Sequence, residues 1–210
     1  YGFSAQTGFD QAKLRIFDKN PAKSTHALEE VLQESDFIFL SVPTPSNVDG
    51  SINISILHDV MTQINNHGTK DGCVTLVRST VLPGTTREFD EKYENITIVF
   101  NPEFLTERSA KFDFINQARI ILGGEPEDTR KVAELFKLRF GKSISTIETN
   151  FETAEFIKYM SNCYFASKVS YMNEMRMIAD KSGVDWDTAV DGFVRDGRVG
   201  HSHLSVPGPD

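Results

Sequence analysis

Short apolar runs alternate along the chain with segments of helical periodicity, and this alternation constrains the fold more than any other feature. Strand-like runs lie at 14–17, 37–42, 74–77, 96–100, 119–122 and 143–147. Between them, apolar residues recur at helical spacing, as at 27–32, 54–66 and 126–140. Strands joined by helices of this length are connected by right-handed crossovers, which predicts an α/β fold with a doubly wound, mostly parallel sheet.

The pattern changes at Thr153, where apolar residues recur at helical spacing up to Gly183 with no glycine or proline in between. This predicts one long helix, or two nearly continuous ones, followed by another helix at 185–194. The methionines on the long helix suit a core or a dimer interface better than a ligand contact. Residues 201–210 have loop composition.

Composition excludes several classes of protein. A hydrophobic content of 39% and a charged content of 25% are those of an ordinary globular protein. A net charge of −8 works against binding the phosphate backbone, so we expect no nucleic-acid partner. The apolar runs are shorter than a bilayer span, which predicts a cytoplasmic location without a membrane partner. Two cysteines, Cys73 and Cys163, fit a reducing compartment.

Two carboxylates, Glu103 and Glu107, follow the predicted strand 96–100 in the sequence Asn-Pro-Glu-Phe-Leu-Thr-Glu. Loops at the carboxyl ends of strands carry the chemistry in α/β proteins. Lys158 and Asn162 lie four residues apart on the predicted long helix, so they share one face and offer a cation and an amide to the same substrate. Two acids, a lysine and an amide together indicate oxidation chemistry.

Asp18 ends the first predicted strand. An acid at the corresponding strand end of dinucleotide folds binds the adenosine ribose and favours NAD over NADP. Taken alone, Asp18 is more often a turn residue. The first strand and its glycine turn would precede Tyr1, and 1–7 has the pattern of the end of a helix. We therefore expect the chain to be an internal fragment of a longer protein, with a sheet that lacks its first strand.

Several motifs together carry a resemblance to a known family. They are Val-Pro-Thr-Pro at 42–45, Ser-Thr-Val-Leu-Pro-Gly-Thr at 79–85, the acidic motif at 101–107, Lys158 with Asn162, Asn-Glu at 173–174 and Arg-Val-Gly at 198–200. In this order they resemble the UDP-glucose/GDP-mannose dehydrogenase family over nearly the whole chain. The acidic motif is the most specific, whereas the lysine and asparagine pair also occurs in hydroxyacid dehydrogenases.

The resemblance implies a Rossmann-like NAD-binding domain at 1–148, a central helical dimerisation domain at 149–200 and a short tail at 201–210. It also implies NAD-dependent oxidation of the C6 hydroxyl of a nucleotide sugar to the carboxylate, through a cysteine thiohemiacetal and thioester. UDP-glucose is the first expectation for the substrate, and a homodimer through the long helix is expected.

The resemblance assigns a role to each site residue. Lys158 and Asn162 would stabilise the developing negative charge on the alcohol oxygen, Glu103 would act as the base on water, and Thr80 would orient that water. Glu107 would line the site beside the cofactor. The residues expected to border NAD are Asp18, Val42, Thr44, Pro45, Ser79 and Thr80, and those expected at the substrate include Phe104, Leu105 and Arg198, the arginine that family dimers lend across their interface.

Plainer interpretations of the same residues remain open. Glu103 and Glu107 are also what a solvated loop contains, and Lys158 with Glu155 is also what a surface ion pair looks like. Asn162 is also suited to satisfying backbone groups. Two histidines in the tail, at 201 and 203, are too few ligands for a metal, so no metal site is expected.

One departure from the family concerns its nucleophilic cysteine, which lies in a glycine-rich loop after a segment like 206–208. We expect that loop to follow Asp210. Cys163 is no substitute, because it follows Asn162 on the helix and points about 100° away from it. Three hypotheses therefore compete: a nucleotide-sugar 6-dehydrogenase, a hydroxyacid dehydrogenase of the same superfamily, and a non-catalytic fragment that assembles through its long helix.

Overall fold

The computed structural model describes residues 3, 9–105 and 109–206. They form two compact units, Tyr1–Lys158 and Tyr159–Asp210.

The first unit is built on a sheet of five strands in the order β1-β2-β3-β4-β5. The strands are β1 (Phe37–Leu40), β2 (Val74–Val77), β3 (Thr97–Phe100), β4 (Arg119–Gly123) and β5 (Ser145–Thr149). β1, β2 and β3 are parallel, as are β4 and β5, while β3 meets β4 in the antiparallel sense through Phe100 and Gly123. The predicted mostly parallel sheet is confirmed.

Helices precede, connect and follow these strands. They are α1 (Leu28–Glu34), α2 (Ser55–His67), α3 (Thr85–Lys92), α4 (Ala110–Ile115), α5 (Pro126–Phe140), α6 (Phe151–Ser182) and α7 (Trp186–Val194), with a 3-10 turn at Pro21–Lys23. The helices α2 to α5 connect the strands, while α1 precedes β1, and α6 and α7 follow β5. Among them α4 was not predicted. Its large apolar side chains are at 112, 114 and 115, of which only 112 and 115 have helical spacing, so the six residues show no repeating helical pattern, and Phe112 is largely exposed.

Helices cover both faces of the sheet. Successive residues of the strands divide between two apolar clusters: Leu76 and Val99 pack with α5, whereas Val77 and Phe100 pack with α2 and α3. Because side chains alternate between the faces of a strand, the two clusters lie on opposite sides of the sheet. The doubly wound architecture follows from the apolar character of β2, whose four residues are all buried.

The predicted strand at 14–17 is wrong. The segment pairs with no other strand within the described part of the chain, and Leu14 and Phe17 are 43% and 48% exposed. Instead, the backbone of Ile16 bonds locally: its N–H donates to Thr25 Oγ1 at 3.1 Å and its carbonyl accepts from the Thr25 N–H at 2.9 Å. A run with strand-like composition does not become a strand without a neighbour to complete its ladder.

The end of β4 lies tightly against the start of α6. A Cβ atom added to Gly123 would lie 2.6 Å from the Cβ of Ala154 and 2.9 Å from the carbonyl oxygen of Asn150. Phe151 and Ala154 are fully buried at this contact. Glycine at 123 thus permits the close approach that fixes the first turn of α6 on the sheet.

The second unit contains the remainder of α6 and α7, as the helical periodicity predicts. Asp185 caps α7, accepting from the N–H of Thr188 at 3.2 Å and from its hydroxyl at 2.7 Å. Arg176 stacks 5.6 Å above the ring of Trp186 and pairs with Asp180. Among the described residues, no helix combines the length and the apolar character needed to cross a membrane.

Candidate functional site

The loops after β1 and β2 are joined by side-chain hydroxyls. Ser79 Oγ donates to the carbonyl oxygen of Val42 at 2.7 Å and accepts from the Val42 N–H at 3.0 Å. Thr44 Oγ1 donates to the carbonyl oxygen of Thr80 at 2.9 Å. The motifs at 42–45 and 79–85, which lie far apart in sequence, therefore form one wall at the carboxyl ends of two parallel strands.

A cleft of about 340 Å³ opens at this wall. Its lining residues come from the loops after β1, β2 and β3: Ser41, Val42, Pro43, Thr44, Arg78, Ser79, Thr80 and Glu103. Open α/β sheets bind their ligands outside the carboxyl ends of the strands. The structure thus brings together four of the residues predicted to border the cofactor or the reacting water with the predicted base Glu103.

Arg78 is a site residue that the sequence analysis missed. It directly follows β2, is 9% exposed, and donates from Nη1 to Oδ1 of Asn101. Its Nη2 lies 4.0 Å from Oε2 of Glu103. Burial lowers the pKa of the Arg78 guanidinium, and the Glu103 carboxylate opposes that shift. The available signal was a charged residue immediately after the strand-like run Val-Thr-Leu-Val, next to the Ser-Thr motif.

Lys158 reaches the same loop from α6. Its side-chain Nζ donates to the backbone carbonyl oxygen of Glu103, and the residue is 8% exposed. Burial lowers the pKa of the Lys158 ammonium; the Glu103 carboxylate raises it, and Arg78 lowers it further, with a net downward shift. The Nζ atom also lies 5.2 Å from the centre of the Phe104 ring.

Glu155 lies one turn before Lys158 and is fully buried. Its carboxylate accepts from the N–H of Gly84 at 2.6 Å and from the N–H of Thr86 at 2.7 Å, so it caps the start of α3. Burial raises the pKa of the Glu155 carboxyl, while the bonds from Thr86 and Gly84 lower it. The interpretation of Lys158 and Glu155 as a surface ion pair is therefore wrong.

The acidic loop is described as far as Leu105. Glu103 is partly exposed, and the Phe104 ring is stacked under the guanidinium of Arg119 at 4.6 Å. Leu105 is also partly exposed. Glu107 lies outside the described residues.

These features can be compared with known proteins. Residues 11–138 match the NAD binding domain of the UDP-glucose/GDP-mannose dehydrogenase family, and residues 152–210 match its central domain. The chain belongs to this family. The resemblance predicted from the motifs is confirmed, and NAD is confirmed as the cofactor of the matched domain.

Individual members of the family agree with this assignment. The chain is 34% identical over 185 residues to UDP-glucose 6-dehydrogenase YwqF of Bacillus subtilis, covering 85% of this chain and 41% of that protein. A GDP-mannose dehydrogenase structure from Pseudomonas aeruginosa superposes with a TM-score of 0.71 at 27% identity, over 84% of this chain and 42% of that one.

A UDP-glucose dehydrogenase structure from the hyperthermophilic archaeon Pyrobaculum islandicum has a TM-score of 0.70 at 28% identity, over 86% of this chain and 43% of that one. The chain thus spans less than half the length of each of these three proteins.

In the first unit, two of the predicted cofactor residues are not among the residues that line the cleft. Asp18 is partly buried, and its Oδ1 accepts from the N–H of Asn20 at 2.8 Å, as in a turn. Pro45 is exposed, and its carbonyl oxygen accepts from the N–H of Asn53 at 2.8 Å. The ribose contact of Asp18 stays a prediction.

Asn162 and Arg198 belong to the second unit. Asn162 is exposed and lies one helical turn beyond Lys158 on α6. Arg198 is exposed and pairs with Asp196, its Nε lying 2.9 Å from Oδ1. The Arg198 side chain also lines a cleft of about 290 Å³ together with Tyr164, Lys168 and Tyr171.

The two cysteines differ in environment. Cys73 is buried at 4% exposure, and burial together with nearby Asp36 raises the pKa of its thiol to about 11. Cys163 is exposed on α6. A thiol with such a high pKa is a poor nucleophile near neutral pH, because the thiolate is the reactive form.

Proposed function

We propose that the whole protein oxidises the C6 hydroxyl of a nucleotide sugar to the carboxylate with NAD, UDP-glucose being the first candidate. The observation that carries this proposal is the buried Lys158 ammonium, held against Glu103 at the carboxyl end of β3 in the NAD-binding unit. Membership of the UDP-glucose/GDP-mannose dehydrogenase family supports it.

The walls of the cleft would hold the cofactor. Val42, Thr44 and Ser79 would border NAD, and the hydroxyl bonds between the two loops fix the positions of these residues. Pro45 and Asp18 would extend the contact, with Asp18 accepting from the ribose hydroxyls. NAD supplies the hydride acceptor in each of the two oxidations. The residues of this chain position it and stabilise charge on the sugar.

Lys158 would stabilise the negative charge that develops on the sugar oxygen when its hydroxyl proton and hydride leave. A buried ammonium acts more strongly than one in water, because low-dielectric surroundings screen its charge less. Asn162 would donate a second hydrogen bond from the next turn of α6. Phe104 and Leu105 would form the apolar side of the sugar site.

Thioester hydrolysis would use Glu103 as the base and Thr80 as the donor that orients the water, with Glu107 beside the cofactor. Glu103 and Thr80 line the same cleft, which supports this pairing. The nucleophile would be the cysteine of the glycine-rich loop that the family resemblance implies, and the burial and raised pKa of Cys73 make that thiol unsuited to the role.

The organisation of the protein follows the same proposal. The NAD-binding domain would occupy 1–148, the central helical domain 149–200, and 201–210 would lead towards the cysteine loop. A cytoplasmic homodimer formed through the long helix would place Arg198 on the substrate of the partner subunit.

The test is NADH formation by the whole protein with UDP-glucose, GDP-mannose and other nucleotide sugars. We expect two NADH for each sugar converted to its acid. Lys158→Met should lower kcat by about 10²–10³-fold, the usual loss when one donor to a developing oxyanion is removed. Lys181→Met, at an exposed position on the same helix, is the matched control and should keep wild-type activity.

The competing hypotheses predict other outcomes. Oxidation of small hydroxyacids without oxidation of nucleotide sugars would favour a hydroxyacid dehydrogenase. A solved 3-hydroxyisobutyrate dehydrogenase from Mycobacterium tuberculosis shares the fold at 16% identity, with a TM-score of 0.65, and shows the fold alone. A folded whole protein without activity on either class would contradict the proposal and favour an assembly role.

A further inference from the structure

The contacts of Arg78 and of its partner Asn101 reach the four strands β1 to β4. Arg78 follows β2, its guanidinium lies 6.0 Å from the ring of Phe39 on β1, and its Nη1 donates to Asn101 after β3. Asn101 in turn donates from Nδ2 to the carbonyl oxygen of Ile121 on β4 at 2.9 Å. The position of the guanidinium is therefore fixed by the sheet and not by a mobile loop.

The same guanidinium faces the predicted base. Its Nη2 lies 4.0 Å from Oε2 of Glu103, the one carboxylate within ion-pair distance of Arg78 in the described part of the chain. A buried guanidinium stays charged and is costly unless it is paired, so the structure favours a Glu103 carboxylate turned towards Arg78. The Glu103 side chain is 46% exposed and can still face the cleft.

Glu103 consequently has a cation at its backbone carbonyl and another at its side-chain carboxylate. Lys158 Nζ bonds its backbone carbonyl, and Arg78 faces its carboxylate. From this arrangement we propose that Arg78 is a positioning residue for Glu103: it aims the carboxylate at the water that hydrolyses the thioester. This inference rests on the proposed function, since it assigns Arg78 to the hydrolytic step of that reaction.

The planar fork of arginine is needed for this task. One nitrogen is used by Asn101, and the other is presented to Glu103 in the same plane. A lysine ammonium at 78 would keep the charge but could not hold both partners in that fixed geometry. Arg78 also lines the cleft beside Thr80. A displaced guanidinium would therefore change the part of the cleft that is proposed to hold the water.

The experiment compares Arg78→Met and Arg78→Lys in the whole protein with Arg87→Lys as control. Arg87 lies on α3 and pairs with Glu125 and Glu152 at the surface, away from the cleft. In single-turnover measurements with UDP-glucose, Arg78→Met should slow hydrolysis by about 10–100-fold, the scale expected for a misplaced catalytic group. The covalent sugar adduct should accumulate and be visible in the intact mass.

Two further readouts separate positioning from a loss of folding. In a Glu103→Gln background, Arg78→Met should cause no additional slowing, because Arg78 acts through Glu103. The Arg78 charge lowers the pKa of Lys158. Arg78→Met should therefore also raise the pH at which activity is lost on the alkaline side. Arg78→Lys, which keeps the charge and is less disruptive to folding, should accumulate the adduct without this pH shift.

The outcomes are distinguishable from those that test the proposed function. A wild-type protein that makes no NADH with any nucleotide sugar overturns the proposed function and this inference with it. An active wild type whose Arg78→Met and Arg78→Lys variants hydrolyse at the wild-type rate without adduct overturns the inference alone. Slowing by Arg78→Met that is equally large in the Glu103→Gln background also overturns it.

Discussion

Replacement of Glu155 should destabilise the first unit strongly, because this side chain accepts two backbone N–H groups from another part of the chain. Gly84 and Thr86 donate to it at 2.6 and 2.7 Å, and the carboxylate is fully buried. An unsatisfied buried N–H costs about 1–3 kcal/mol. Glu155→Ala leaves both groups without their acceptor, which predicts a loss of roughly 2–6 kcal/mol in the free energy of unfolding.

Glu155→Gln should remove one of the two hydrogen bonds and keep the other. The amide retains one oxygen for one N–H and turns its NH₂ group towards the other, so the expected loss is about half, roughly 1–3 kcal/mol. The matched control is Glu152→Gln, one turn earlier on α6. Glu152 pairs with Arg87 at 3.2 Å in a partly exposed position, and such pairs contribute about 0.2–1 kcal/mol.

The assay is urea unfolding of the three variants and the wild type, followed by circular dichroism. The midpoint should fall in the order Glu152→Gln, Glu155→Gln, Glu155→Ala, with the slope unchanged if only stability is affected. Equal midpoints for Glu155→Ala and Glu152→Gln would refute the reasoning, since they would mean that the two N–H groups find other acceptors at no cost.

Three further predictions follow from the structure. Gly123→Ala should destabilise the fold by about 1–3 kcal/mol through overpacking against α6, whereas Gly192→Ala, which meets no atom within 4 Å, should be neutral or stabilising in thermal unfolding. A thiol reagent followed by peptide mapping should label Cys163 but not Cys73 in the folded protein at neutral pH; rapid labelling of Cys73 would contradict its burial. Finally, kcat should fall as the pH rises through the lowered pKa of Lys158, because the ammonium group loses its charge when it is deprotonated. A pH profile of kcat that stays flat up to pH 10.5, the ordinary pKa of lysine, would contradict this prediction.

Most of the fold could be predicted from periodicity, because the elements that bury a continuous face carry it in their sequence. The four buried residues of β2 and the uninterrupted helix α6 are examples. The segments that were predicted wrongly are those whose secondary structure depends on residues far away in the sequence. The run at 14–17 has strand composition yet lacks a neighbouring strand in the described part of the chain, and α4 forms without a helical apolar pattern.

The residues of the candidate site also differ in whether the sequence alone could indicate them. Glu103, Thr80 and Lys158 could be proposed from the sequence because their motifs are local in sequence. Arg78 and Glu155 were not assigned roles, because their partners lie far away: Asn101 is 23 residues from Arg78, and Gly84 is 71 residues from Glu155. Whether a charged side chain is solvated or buried against a distant backbone is decided by tertiary packing.

The bond from Lys158 Nζ to the Glu103 carbonyl has a consequence for the thermodynamics of substrate binding. A long, flexible lysine side chain loses up to about 2 kcal/mol of rotamer entropy when it is immobilised. In this protein the Lys158 side chain is immobilised, and its ammonium is removed from water, when the chain folds and not when substrate binds. The bond uses one of the three N–H donors and fixes the directions of the other two. An arriving sugar oxygen would therefore meet a donor whose orientation requires no further loss of freedom.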